Sequence, residues 1–144
     1  MSYGTVEIGG KTYIEREQSF PLVVTTAGDT VLVNSSLVLP GVADFWLKCL
    51  TRETTVNGVS TAERFLFRLG NSDGATWYMS GGNGGTTDLV IDTLCFGSGQ
   101  FPFVLNPYIY YNANGAIKIQ YQPLTAVVYN IYFSFRGSYL IPVS

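Results

Sequence analysis

Residues with useful chemistry are few in this chain, and their spacing does not suit the chemistry they suggest. A phosphate-binding loop needs Gly-x-x-x-x-Gly-Lys-[Ser/Thr] opening a helix, so that backbone amides, the Lys and a hydroxyl reach phosphate and metal. Gly81-Gly82-Asn83-Gly84-Gly85 has no Lys and leads into Thr86-Thr87-Asp88-Leu89, an expected strand, so it reads as a plain connection. Calcium binding through Asp73-Gly74, Asp88 and Asp92 would need several oxygen ligands at fixed spacing. Asn71-Ser72-Asp73-Gly74 supplies only a fragment of that spacing and is also an ordinary turn. Glycoside hydrolysis needs two paired carboxylates. Most of the 10 acids fall beside turns or on the polar side of strands, and nothing pairs any two of them. With no histidine there is no Ser-His-Asp or Cys-His nucleophile pair, no His-ligated zinc and no histidine pH switch. Cys49 and Cys95 lie in apolar runs and read as buried free thiols behaving as small hydrophobes. The expectation is a non-enzyme without catalytic residues, cofactor or metal.

The aromatic residues say more. Trp77-Tyr78 and Tyr110-Tyr111 are adjacent pairs, and neighbours on a strand point to opposite faces. One ring of each pair faces a core and the other faces outward. Outward rings suit a protein interface, where Tyr, Trp and Arg are enriched, or a sugar-stacking surface, unless the same fold covers them.

The elements that position these rings are strands. Apolar residues alternate in Phe65-Leu66-Phe67-Arg68-Leu69, in Ile117-Lys118-Ile119-Gln120-Tyr121 and in Tyr129-Asn130-Ile131-Tyr132-Phe133-Ser134-Phe135-Arg136. The last run places Tyr132 and Arg136 on an outer face. Gly9-Gly10 separates two such runs as a two-residue hairpin turn, Asn114-Gly115 joins two more, and Asn57-Gly58 marks the tip of a longer hairpin loop between 45–53 and 63–69. Strands are expected near 4–8, 11–16, 21–26, 29–39, 44–53, 63–70, 75–80, 87–92, 101–111, 115–122 and 127–137, with a break at Asn34-Ser35-Ser36. Many short strands at this spacing predict an all-β, antiparallel β-sandwich of jelly-roll-like type. Residues 19–144 form its single domain. Glu7, Lys11, Glu15, Arg16 and Glu17 crowd the first 18 residues, which read as a short N-terminal hairpin arm projecting from the sandwich.

Composition narrows the function classes. Only 12% of the 144 residues are charged, about half the roughly 25% usual in a soluble domain, while 15% are aromatic. A net charge of −2 argues against nucleic acid, whose phosphates call for clustered Lys and Arg. Met1-Ser2-Tyr3-Gly4-Thr5-Val6-Glu7 has no basic n-region or apolar h-region, so no secretory signal is expected, and no apolar run is long enough for a transmembrane helix. A subunit held in a large assembly can bury surface that a free monomer would have to charge, and an exposed sheet edge can pair with a neighbour's strand.

The C-terminal half carries a resemblance. Phe96-Gly97-x-Gly99-x-Phe101-Pro102-Phe103-x-Leu105, then Tyr108-Ile109-Tyr110, an Asn-Gly turn, Ile117-x-Ile119, and Tyr129-Asn130-Ile131-Tyr132-Phe133-x-Phe135-Arg136-Gly137-x-x-Leu140 span about residues 63–141. This texture resembles small β-sandwich structural proteins of tailed-bacteriophage virions, of the capsid decoration, cement or minor head type. The resemblance implies a non-enzymatic virion component, made in the host cytoplasm. Its partners would be other virion proteins, above all the major capsid protein, with self-association into a homo-oligomer and no nucleic acid or membrane. Tyr3, Ile8 and Tyr13 in the arm, with Trp77, Tyr110, Tyr132 and Arg136, are the expected contact residues. Alternatives are a carbohydrate-binding module using Trp77, Tyr78 or Tyr111 as stacking platforms, and a tail or baseplate subunit.

Overall fold

Burial follows the alternation strand by strand. The computed structural model describes residues 3–71, 77–79, 89–94, 96–97 and 103–143. The Gly81–Gly85 run, Asp73-Gly74, Asp88 and Cys95 lie outside them. The strands are β1 (Tyr3–Ile8), β2 (Lys11–Thr25), β3 (Val33–Val38), β4 (Asp44–Val56), β5 (Val59–Ser60), β6 (Phe65–Asn71), β7 (Trp77–Met79), β8 (Val90–Ile91), β9 (Phe103–Tyr111), β10 (Ala116–Pro123) and β11 (Asn130–Pro142). A 3-10 turn at Asp92–Leu94 follows β8.

Two antiparallel sheets result. The six-stranded sheet runs β1-β2-β11-β4-β5, with β9 also on β4, and the five-stranded sheet runs β3-β10-β6-β7, with β8 also on β6. The pairs β2·β11, β3·β10, β4·β9 and β6·β7 read as one antiparallel ribbon, early strands against late ones. Rolling that ribbon until β11 meets β4 and β10 meets β6 gives a jelly roll, as the alternation predicts.

Inward residues of both sheets form one core. Phe65, Phe67 and Leu69 face Leu47, Leu50, Phe133 and Phe135, all at 1% exposure or less. Phe96 closes one side, 4.5 Å from Phe67 and 5.5 Å from Phe133, centroid to centroid. Two phenols pin sheet to sheet. Tyr111 donates to the Gly70 carbonyl at 3.1 Å and Tyr129 to the Arg64 carbonyl at 3.0 Å. Both rings are 1% exposed, so each hydroxyl needs a partner inside the protein.

Several details depart from expectation for physical reasons. Segments 11–16 and 21–26 are one continuous strand, because β11 offers partners along all of it, from Thr25↔Asn130 to Tyr13↔Pro142. The hairpin expected as a projecting arm is therefore the sheet's own edge, with only β1 beyond β2. Asn34-Ser35-Ser36 does not break β3, since each residue pairs with β10. Asn57-Gly58, at φ 51° and 78°, closes a tight β4–β5 hairpin. The 63–69 run belongs to the opposite sheet instead. Asn114-Gly115 likewise links strands in different sheets, with Asn114 at φ 63°.

Candidate functional site

The outer face of the six-stranded sheet gathers most of the expected contacts. In β4, Phe45 and Leu47 point inward, so Asp44, Trp46 and Lys48 point out. Lys48 is an extra residue. Arg136 pairs with Cys49 but Gly137 pairs with Leu47, a bulge that leaves Lys48 without an opposite residue on β11. On β4's other side the register jumps from Leu47↔Ile109 to Cys49↔Val104, so Leu105–Tyr108 arch over the same point, with a cis Asn106-Pro107 bond in the arch.

Glycine makes the bulge possible. A Cβ on Gly137 would overlap the Trp46 carbonyl oxygen, with the carbonyl carbon at 2.9 Å and Phe45 Cζ at 3.0 Å. The bulge also re-aims Cys49, which is a half-buried free thiol beside Arg136 and not the core residue expected.

Around the bulge the aromatic residues hold one another. Trp46 meets Tyr108 edge-on at 5.2 Å. The Lys48 ammonium lies 5.7 Å from the Trp46 ring and 5.2 Å from the Tyr108 ring, and pairs with Glu15 at 2.5 Å. Tyr110 donates to Asp44 Oδ2, while Asp44 Oδ1 accepts from the Ala113 amide at 2.8 Å. Desolvation, then the Asp44 carboxylate, pushes the Tyr110 phenol up to about 12. Leu140 and Ser138 lie beneath on this outer face, at 1% and 2% exposure. Their cross-strand neighbours Glu15, Asp44 and Trp46 thus roof a small second core.

At the far end the face is open. Tyr132, 41% exposed, sits between Val23, 53% exposed, and Glu53. It lies six residues along β11 from Ser138, about 20 Å at the usual strand rise. Arg136 is exposed between the two ends, opposite Ser19 and Cys49.

The expected contacts thus divide. Tyr13, Tyr110, Tyr132 and Arg136 share this face. Ile8 closes β1 opposite Lys11, and Tyr3 opens it opposite Arg16, at the sheet edge. Trp77 belongs to the outer face of the other sheet, where the Arg68 guanidinium lies 3.8 Å from its ring centroid and the Lys118 ammonium 5.6 Å. Tyr111 is a core residue and no stacking platform. Burial, with Tyr78 nearby, raises its phenol far above the usual value. Tyr78 packs edge-on against Tyr111 at 5.7 Å, and its oxygen accepts from Asn71 at 2.9 Å.

No family model matches the chain, and neither curated proteins nor solved structures offer a match. Among the described residues, no group of three or more His, Cys, Asp or Glu is placed to hold a metal ion, and no helix is long and apolar enough to cross a membrane. Asp92, expected only as a weak calcium candidate, is fully buried and meets Arg52 Nε at 2.8 Å. That pair holds the 3-10 turn against β4.

Sequence reasoning missed Trp46, Lys48 and Tyr108. The signal for Trp46 and Lys48 was legible in Asp44-Phe45-Trp46-Leu47-Lys48, where Phe45 and Leu47 inward imply Trp46 and Lys48 outward. The run's overall apolarity hid that alternation.

Proposed function

We propose that this chain is a non-enzymatic structural subunit of a tailed-bacteriophage virion, a decoration or cement protein bridging neighbouring shell subunits. The observation that carries the reading is the outer face of the six-stranded sheet. It brings Tyr13, Tyr110, Tyr132 and Arg136 together from three strands and leaves Val23 and Tyr132 uncovered. Aromatic and Arg anchors on one sheet face suit docking to protein. The jelly roll supports the reading by analogy, since capsid domains use it, as do lectins and cupins. The mechanism is mechanical: many copies each bury apolar area against the major capsid protein and resist outward pressure on the shell. Co-sedimentation with purified phage shells tests it. Saturable binding by the wild type that weakens in Val23→Ser/Tyr132→Ser is expected. A protein that is strictly monomeric by native mass measurement and leaves the shells bare would refute the proposal.

A further inference from the structure

We propose that one end of the sandwich, where segments 26–32, 57–64 and 124–129 meet, is a self-docking surface that pairs two copies of this chain about a two-fold axis. The pairs Thr25↔Asn130 and Asn130↔Thr55 in one sheet, with Val33↔Tyr121 and Pro123↔Phe65 in the other, put all three segments at that end. The strand orders β2-β11-β4 and β3-β10-β6 set them side by side, with 124–129 in the middle.

The middle segment turns apolar side chains to solvent. Leu124-Thr125-Ala126-Val127-Val128 is exposed throughout and carries no charge, and Val31 on one flanking segment is 62% exposed. These side chains cannot fold inward, because the backbone beneath them is pinned from both flanks. Thr26 Oγ1 donates to the Val127 carbonyl at 2.9 Å and accepts from the Tyr129 amide at 3.0 Å. The Arg64 carbonyl accepts from the Leu124 amide at 3.1 Å and from the Tyr129 hydroxyl at 3.0 Å. A fixed apolar patch with a polar rim marks a docking site.

Charge selects the partner. Asp29 is exposed on the 26–32 flank, its Oδ1 accepting from the Val31 amide at 3.2 Å. Arg64 is exposed on the opposite flank, where its neighbour Glu63 accepts from the Thr125 hydroxyl. An end that is apolar in the middle, acidic on one side and basic on the other is complementary to itself. A half-turn about an axis through the middle segment lays that segment on its own copy and brings each Asp29 to the other copy's Arg64. A foreign partner would need the same pattern in reverse, which this chain already carries. Three short segments make a contact near the lower limit for a specific interface, about 1,000 Å² in total, so the pairing should be of micromolar strength.

Sedimentation equilibrium over about 1–500 µM tests it. The wild type should pass from monomer to dimer, and Val127→Ser/Val128→Ser should stay monomeric. Asp29→Lys and Arg64→Glu should each weaken the dimer by at least about tenfold, since symmetry counts each change twice. Mixed together, the two variants should pair nearly as well as wild type, because both flanking contacts then join opposite charges. Asp29→Asn keeps an acceptor for the Val31 amide, should weaken the dimer about threefold, and decides the matter if thermal melting shows Asp29→Lys unfolded. The proposal fails if the wild type is monomeric throughout, or if the serine pair, a charge reversal or Asp29→Asn dimerises like wild type. It also fails if the mixture of folded variants pairs no better than its components, which would deny the two-fold contact. Val23→Ser/Tyr132→Ser, changed on the sheet face and not at this end, should still dimerise, so self-docking and shell docking can fail separately.

Discussion

Gly137→Ala offers the sharpest test of how this fold builds its interaction face. The residue sits where β11 crosses the β4 bulge, and its φ is not in the left-handed region. The requirement is therefore space. An added methyl meets the Trp46 carbonyl, a backbone group that cannot rotate away, and Phe45 Cζ stands at 3.0 Å on another side. Overpacking in a rigid core costs typically 1–3 kcal/mol, and an obstacle made of backbone argues for the upper end, about 3 kcal/mol. Parting the two strands weakens one ladder hydrogen bond, adding about 1 kcal/mol net. With a urea slope of roughly 2–3 kcal/mol/M, the total of about 4 kcal/mol lowers the midpoint by about 1.3–2 M. Urea unfolding followed by tryptophan emission measures it, and Trp46 adjoins the strain. Gly4→Ala is the control, since a Cβ there meets nothing within 4 Å. It should move stability by no more than about 0.5 kcal/mol. A Gly137→Ala midpoint within error of the Gly4→Ala midpoint would refute the argument that close approach at the bulge selects glycine.

Other consequences follow from the same structure. Asp92→Ala strands the Arg52 guanidinium and should cost about 3 kcal/mol, the low end for a broken buried pair because Arg52 keeps 23% side-chain exposure. That loss should lower the melting temperature by about 10 °C. Tyr111→Phe leaves the buried Gly70 carbonyl without its donor and should cost about 1–3 kcal/mol by urea unfolding. Alkaline stability should also fall. Burial, then Glu63 and Asp92, raises the Tyr129 phenol from 10.0 to about 12, and burial raises Tyr121 as well. Below pH 10 both folded and unfolded chains hold these protons. Between pH 10 and 12 the folded chain keeps the Tyr129 proton that the unfolded chain loses, so stability drops by up to about 1.4 kcal/mol per pH unit, and the raised Tyr121 phenol acts in the same direction. Urea midpoints that stay level from pH 9 to 12 would contradict that sign.

Much of the fold was legible because burial on one face imposes period two. The run from Tyr129 to Arg136 contained its own core face, and the structure keeps it. Partner choice was harder to read. Asn57-Gly58 and Asn114-Gly115 specify positive φ equally well, yet one closes a hairpin and the other turns the chain between sheets. Local turn chemistry cannot distinguish these outcomes, since both need only a reversal. The bulge was harder still. An extra residue shifts the alternation by one, and Lys48-Cys49-Leu50 reads as an irregular apolar run until Gly137 is known to lie across from it. For the interaction face, outward rings could be read one strand at a time. That Tyr13, Tyr110 and Tyr132 share a face, and Trp77 does not, depends on which strands pair.

The low charge that suggested a partner can now be divided between what the chain satisfies itself and what it leaves open. At the Trp46 end, apolar surface already has protein against it: Trp46 on Tyr108, Lys48 on both rings, and Leu140 at 1% exposure beneath. At the Tyr132 end, Tyr132 and Val23 stand at 41% and 53% exposure with no roof over them. Two exposed tyrosines on one face should therefore behave differently. Tyr110→Phe removes the bond to Asp44, whose other oxygen keeps the Ala113 amide, and should cost about 1 kcal/mol of folding stability with little effect on assembly. Tyr132→Ser should leave folding within about 0.5 kcal/mol, because the residue is 41% exposed and stands outside the core. In an interface it acts as an anchor, and losing about 2 kcal/mol there weakens association roughly thirtyfold. Urea unfolding and shell co-sedimentation on both variants separate the two effects. If Tyr110→Phe abolishes shell binding while Tyr132→Ser binds like wild type, the docking surface lies over the bulge, and its second core is an interface in waiting.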